Sequence, residues 1–382
     1  MPDVTRRGML GAALAAGGLL GAAAGGDEKH AKDKGDESLP NFRFAIEAQR
    51  GKVDEGGSAK EATVTEFPIS RGIAGVSMRL DPGGLRELHW HAIAAEWAFV
   101  LKGRVRTTVI EPAGNYETKD FGPGDVWYFP RGHGHALQGL GPGEAHFILG
   151  FDDGAFSEFG TFSVTDWLAH TPSDVLARNL GLPAAAFAGF PKKELYITKG
   201  AVPSPLPPEP VAGSQKIPPQ THKYQLLAQA PRTFPGGSLR VVSAKEFPIS
   251  TTMTGAFMTL QPGALRELHW HPNADEWQYI IEGNARMGLF GSSGRARALD
   301  FSPGEVGYVP RGYGHYFENT GDGELRVLLL FNSGTYEEIS LATWLASNPS
   351  QLLAVNFHIG EDVVAKFPKG TSTITSKDSP RP

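Results

Sequence analysis

Short apolar runs separated by turn signals set the rhythm of this chain. Glu96-Trp97-Ala98-Phe99-Val100-Leu101 and Val126-Trp127-Tyr128-Phe129 are runs of this kind. Between such runs lie Asp81-Pro82-Gly83-Gly84, Gly122-Pro123-Gly124-Asp125 and Gly141-Pro142-Gly143. Closely spaced strands with this punctuation predict an all-β sandwich or jelly-roll barrel. A helix-like stretch follows at 164–180, and another at 341–356.

The pattern occurs twice. Leu85-Arg86-Glu87-Leu88-His89-Trp90-His91 returns unchanged as Leu265-Arg266-Glu267-Leu268-His269-Trp270-His271, 180 positions later. Glu66-Phe67-Pro68-Ile69-Ser70 and Pro130-Arg131-Gly132 return at the same offset as Glu246-Phe247-Pro248-Ile249-Ser250 and Pro310-Arg311-Gly312. A match of this length and register marks a duplicated domain. The expected layout is an N-terminal arm at 25–60, a first barrel at 61–200, a proline-rich linker at 201–222, a second barrel at 223–369 and a flexible tail at 370–382.

Composition narrows the function. At 382 residues there is chain enough for two cores, and 40% hydrophobic with 20% charged residues is ordinary for a globular protein. A net charge of −5 offers no footprint for nucleic acid, so an anionic substrate needs a local cation. With no cysteine there is no disulfide, thiolate ligand or thiol nucleophile. Thr5-Arg6-Arg7-Gly8-Met9-Leu10 precedes a short alanine- and glycine-rich run ending near Ala24. This reads as a twin-arginine signal at 1–24, cleaved to leave a protein outside the cytoplasm, periplasmic or extracellular, with no stable membrane insertion.

The repeated segments carry ligand chemistry. Strand residues two apart share a face, so His89 and His91 converge while Trp90 points away. Glu96 can return on the next strand, and His135 arrives later after Pro130-Arg131-Gly132. His269, His271, Glu276 and His315 repeat the set. Three imidazoles and a carboxylate without sulfur suit Mn²⁺ or Fe²⁺ in octahedral coordination with two open positions, two ions per chain. His133 has Tyr313 in the other copy and reads as structural, and His30, His146, His170, His222 and His358 have no counterpart. Trp90 and Trp270 read as packing residues. Arg86 and Arg266 stand three residues before the first histidine, which puts them on the opposite face unless a bulge intervenes.

The copies lose register once. From Phe151 to Trp167 is 16 positions and from Phe331 to Trp344 is 13, so the first copy has three extra residues, in a polar segment that contains Glu158. An unequal loop near one metal is a candidate lid with an acid/base group.

These segments resemble the bacterial oxalate decarboxylases, which are manganese bicupins, over roughly residues 40–370. The likeness rests on Arg86-Glu87-Leu88-His89-Trp90-His91, Trp127-Tyr128-Phe129-Pro130, Phe151-Asp152-Asp153-Gly154, Thr165-Asp166-Trp167-Leu168-Ala169-His170 and Glu267-Leu268-His269-Trp270-His271-Pro272-Asn273. It implies two tandem cupin domains (jelly-roll β-barrels) with short flanking helices, in a homo-oligomer, a trimer or hexamer. It implies that His89, His91, Glu96 and His135 bind the catalytic Mn, that Arg86 contacts oxalate, and that Ser157, Glu158 and Thr161 form the lid. The second site would be His269, His271, Glu276 and His315 with Arg266. The expected reaction converts oxalate to formate and CO₂ with dioxygen as a recycled oxidant, Glu158 moving the proton. This lid has Phe159 and Gly160 where the family has Asn and a second Ser, and one more residue separates His91 from Glu96 than in the family. A carboxylate that some relatives carry in the second barrel is replaced within Val327-Leu328-Leu329-Leu330, which weakens the case for catalysis there. An oxalate oxidase, a dioxygenase for a larger substrate and a non-catalytic metal-binding or storage bicupin are the rival readings.

Overall fold

The structure is a computed structural model that describes residues 39–206, 218–370 and 372–378. The signal expected at 1–24 lies outside them. Each half of the chain folds as two antiparallel sheets facing each other. In the first half one sheet runs in the order Lys223–Gln225, Asp125–Phe129, Glu96–Lys102, Ala145–Phe151, Ala74–Leu80, Gly57–Ala62, Lys52–Asp54. The opposing sheet runs Phe162–Ser163, Gly84–Trp90, Gly134–Gly139, Val105–Ile110, Tyr116–Phe121, and Ile197–Lys199 also pairs with Gly84–Trp90. The second half repeats both sheets.

Burial follows the sequence pattern. Gly134–Gly139 and Gly314–Asn319 alternate between buried and half-buried positions, as strands with one face inward do. Ala74–Leu80 and Thr254–Leu260 are buried on both faces over most of their length, and Gly75 and Gly255 on these strands face the other barrel. The helical stretches are each broken in two, into Val164–Ala169 and Ser173–Leu180, and Leu341–Ala346 and Ser350–Phe357. Pro172 and Pro349 sit at the breaks, where they cap the second helix of each pair.

Three of the expected boundaries shift. The first barrel begins at Lys52, inside the 25–60 range assigned to the arm. Arg43 and Phe44 cross over to pair with Gly307 and Val306 of the second barrel. In return Lys223–Gln225, at the start of the range given to the second barrel, pairs with Asp125–Trp127 of the first. The range taken as a flexible tail contains Ile374–Thr375, paired with Leu265 and Arg266, and Ile374 is fully buried. Each of these pieces covers a sheet edge that would otherwise expose unpaired backbone groups. Strands of two or three residues are too short to show an alternating pattern.

The two barrels meet in a reciprocal interface. The indole of Trp277 lies over Gly75, where a Cβ would stand 2.2 Å from the ring, and Trp97 lies over Gly255 with the equivalent distance 2.1 Å. Tyr128 Oη meets Thr252 Oγ1 at 2.8 Å, and Gly72 N donates to Tyr308 Oη at 2.9 Å. Phe99 and Phe257 stack between the sheets at 5.8 Å. Among the described residues no helix is long and apolar enough to cross a membrane.

Candidate metal centres

The first cluster is assembled by three strands of one barrel. His89 lies near the end of Gly84–Trp90 and His91 just after it, Glu96 opens Glu96–Lys102, and His135 sits on Gly134–Gly139 opposite His89. His269, His271, Glu276 and His315 occupy the matching places in the second barrel. All eight side chains are buried. Among the described residues these are the two groups whose ligand atoms could hold an ion, with all four atoms of each within 4.8 Å of one another. Ligands about 2.1 Å from one ion stand at most about 4.2 Å apart, so little contraction is needed.

The donor atoms are prepared for a cation. His89 Nδ1 donates to Glu87 O at 2.6 Å, His135 Nδ1 to His133 O at 2.9 Å, His269 Nδ1 to Glu267 O at 2.7 Å and His271 Nδ1 to Glu337 O at 2.7 Å. Each bond fixes the tautomer and turns a bare Nε2 inward. In the first site Nε2 of His89, His91 and His135 and Oε2 of Glu96 are buried with no hydrogen-bond partner. Four orphaned acceptors converging in a dry site are costly without an ion between them. Burial pushes His89, His91 and His269 well below the usual imidazole range, which keeps them neutral as ligands must be. The residues therefore fit a hard or borderline divalent cation of the Mn²⁺ or Fe²⁺ type.

A bulge brings Arg86 to this face. Glu87 and Leu88 together oppose the single residue Ala136, so Arg86 aligns with Leu137 while His89 aligns with His135. The extra residue restores Arg86 to the histidine side, and Leu88 is left exposed while Arg86 is fully buried. Glu87, buried in the bulge, accepts from Ser163 Oγ at 2.8 Å and Tyr196 N at 3.1 Å. The second barrel repeats the bulge at Glu267 and Leu268.

The three-residue insertion forms a closed cover. Ser157 caps a turn of 3-10 helix at Glu158–Gly160 by accepting from Phe159 N. Glu158 is buried, with Oε1 accepting from Arg86 Nε at 2.7 Å and Oε2 at 3.5 Å from His91 Nε2. Arg86 Nη2 also donates to Thr161 Oγ1 at 2.7 Å, and the guanidinium lies 4.2 Å over the Tyr196 ring. Arg86 Nη1 and Glu158 Oε2 remain buried without partners. Burial pushes the Glu158 carboxyl up to about 7, against the lowering charge of Arg86.

The second site is built otherwise. Arg266 is engaged by Glu338, whose Oε2 also accepts from Tyr336 Oη at 2.6 Å, and Arg266 Nη1 donates to Thr373 O at 3.3 Å. Tyr336 packs against His271 and Phe331. The remaining cavity is about 10 Å³. The shorter loop also presents a carboxylate, Glu338, paired with the buried Arg266. The ligand carboxylates are also oriented differently. Trp127 Nε1 donates to Glu96 Oε1 at 2.6 Å, whereas Gln278 Nε2 donates to Glu276 Oε1 at 2.8 Å. Sequence reasoning missed Trp127, Gln278, Tyr336 and Glu338. The signal for the first two was present: Ala98 faces Trp127 across one strand pair, and Gln278 faces Gly307 at the equivalent pair.

Two barrels of this topology, each with three histidines and a glutamate on its inner face, define a cupin duplicated in tandem. The cupin family model matches residues 45–186 and again 224–365, and the chain belongs to that family. Within it the chain belongs with the oxalate decarboxylases: it is 42% identical to oxalate decarboxylase OxdC of Bacillus subtilis (strain 168) over 89% of this chain and 88% of that protein. It is 36% identical to a probable oxalate decarboxylase of Arthroderma benhamiae over 88% of this chain and 84% of that one. A solved structure of the Bacillus subtilis oxalate decarboxylase at pH 4.6 superposes with a TM-score of 0.85 at 41% identity, covering 91% of this chain and 90% of that chain. Another, from work on the Mn(II) centres of the same enzyme, gives 0.84 at 42% identity over 89% and 90%.

Proposed function

We propose that this protein is an oxalate decarboxylase, a carboxy-lyase that turns oxalate into formate and CO₂ at the first site. One observation carries the reading. A buried guanidinium with a free N–H, Arg86, and a buried carboxyl with a free oxygen, Glu158, both border a cluster of three histidines and a glutamate. The site therefore offers a cation and a proton-transfer group to a very small carboxylate anion. Likeness to bacterial and fungal oxalate decarboxylases supports the same reaction.

His89, His91, Glu96 and His135 would hold Mn, with Fe as the alternative, and the second set would hold a second ion. When bound, the metal supplies Lewis-acid and one-electron chemistry, with dioxygen as the recycled oxidant. Arg86 is held flat by Tyr196 and Thr161, so it binds and orients the substrate carboxylate with little freedom to lose. Glu158 takes the proton of hydrogen oxalate, the C–C bond breaks with loss of CO₂, and Glu158 returns the proton to the remaining carbon as formate. A carboxyl raised to about 7 by burial suits a proton carried both ways near neutrality. Phe151 and Phe156 against His91 keep water from the site.

The test is to incubate metal-loaded protein with oxalate and quantify formate against hydrogen peroxide. Formate in near-stoichiometric yield supports a decarboxylase; peroxide as the main product identifies an oxidase; neither leaves a metal-binding bicupin. Elemental analysis should find about two Mn or Fe per chain.

Assembly and location belong to the same proposal. Leu88, Phe162 and Trp167, with Leu268, Ile339 and Trp344 at the matching places, leave large apolar side chains exposed on both barrels. Repeated apolar exposure of this kind supports a homo-oligomer; a trimer or hexamer is what the family resemblance implies, and light scattering measures which. The paired Arg6 and Arg7 before an apolar run support twin-arginine export to the periplasm or beyond. Replacing both by Lys should hold the protein in the cytoplasm.

A further inference from the structure

Glu158 is held over the first site from two sides. On the inner side stands Arg86, which must turn part of its bonding to substrate. On the outer side stands a carboxylate from another strand. Glu61, on Gly57–Ala62, accepts from Ser157 Oγ at 3.0 Å to each of its oxygens and from Glu158 N at 3.1 Å. We propose that Glu61 is the latch of the lid, a positioning residue whose carboxylate gathers the donors of Ser157 and Glu158 and fixes the Glu158 side chain in its working place.

Three observations carry the latch. Several donors from adjacent lid residues converge on one half-buried acceptor, a charge-assisted arrangement that closes only when the lid is shut. Burial raises the Glu61 carboxyl, and the bonds from the Ser157 hydroxyl and the Glu158 amide offset part of that rise, so the lid returns some of the solvation that Glu61 loses. The second barrel has Val241 at the same register, paired with Ala256 as Glu61 is paired with Val76. The carboxylate therefore occurs in the barrel with the longer loop and is missing from the equivalent strand position of the other. Phe159 rests edge-on against Tyr196, and a Cβ at Gly160 would meet nothing within 4 Å.

The effect on products rests on the decarboxylase reading, whereas the latch rests on geometry alone, and the experiment separates them. Glu61→Val installs the residue that the sister strand already tolerates at this register. Hydrogen exchange of the metal-loaded protein is followed by mass spectrometry over residues 152–163, with residues 145–151 as the internal control. In Glu61→Val the lid amides should exchange about tenfold faster or more, with the control unchanged. Formate turnover should fall by a similar factor, and peroxide per oxalate consumed should rise, while metal content stays at the wild-type level. Glu61→Gln keeps one accepting oxygen and should fall between the two in both exchange and product ratio. Unchanged lid exchange in Glu61→Val overturns the latch, and so does lid exchange in Glu61→Gln as fast as in a variant with no acceptor. If the wild type yields no formate, the functional reading fails and lid exchange alone decides the latch.

Discussion

At the scale of single residues, the two sites are held by different donors for a steric reason. A tryptophan at 127 needs the small Ala98 across the strand pair, and a glutamine at 278 needs Gly307, where a Cβ would come within 2.5 Å of its Oε1. The pair changes together, and the ligand carboxylate is oriented either way. Trp127→Phe keeps an aromatic ring in the pocket, at the loss of part of its volume, and removes the N–H bonded to Glu96. First-site metal affinity should fall by about 10–100-fold, as for other supports of ligand carboxylates, while the second ion is retained. Chelator competition with elemental analysis reads both. Glu158→Gln keeps the bond to Arg86 but cannot carry a proton, so formate output should fall by ~10²-fold or more with metal content unchanged, measured under oxalate saturation. The eight ligands were legible because repetition in register singles them out from other histidines. Arg86 was legible as a residue and not as a geometry, since strand alternation alone sends it away from the metal. Glu61 was invisible: nothing in a strand sequence tells which distant loop a half-buried carboxylate will meet.

At the scale of elements, regular strands and their turns could be read from alternation and glycine-proline punctuation, and the pieces that finish the sheets could not. Arg43–Phe44, Lys223–Gln225 and Ile374–Thr375 are fixed by the edges they cover and carry no pattern of their own. The last of these has a measurable role. It pairs beside Arg266, and the neighbouring Thr373 O accepts from Arg266 Nη1 and from Glu267 N at 3.1 Å. Deleting residues 372–382 uncovers the bulged strand that carries His269. Such a protein should melt at lower temperature and bind about one ion instead of two, read by calorimetry and by metal analysis of the soluble fraction. The lid was half legible, since the three-residue insertion marks the loop but not the turn of helix that buries Glu158.

At the scale of the whole molecule, Glu47 ties the arm to both barrels. Its carboxylate accepts from Ser77 Oγ at 2.5 Å and from Tyr279 Oη at 3.2 Å, meets Arg79 Nη2 at 2.9 Å, and its N–H donates to Gly304 O at 3.2 Å. Burial by itself would raise this carboxyl, but hydrogen bonds with His146 and Ser77 and the charge of Arg79 outweigh it and hold it well below the usual range. A carboxyl lowered by folding adds stability that is fully present above its unfolded pKa of about 4.3 and disappears as pH falls through the folded value. Glu47→Gln should therefore melt lower than wild type near pH 7, and the gap should close as pH drops below about 4.3. Melting curves from pH 7 to 3 check the sign. The reciprocal Gly–Trp contacts make the same interface intolerant of bulk: Gly255→Ala places a methyl against Trp97 and should cost about 1–3 kcal/mol.

The exchange of edge strands between halves changes what genetics can report about them. Each barrel borrows a strand from sequence that lies outside its own repeat, so neither can come apart quietly while the other carries on. A lesion in the second half, such as Glu276→Ala, can abolish turnover by undoing the fold of both halves, whichever site carries the reaction. Selection then has reason to preserve each half for its scaffolding alone, and a screen for inactive variants will score foundation and furnace alike unless folded protein is counted beside product.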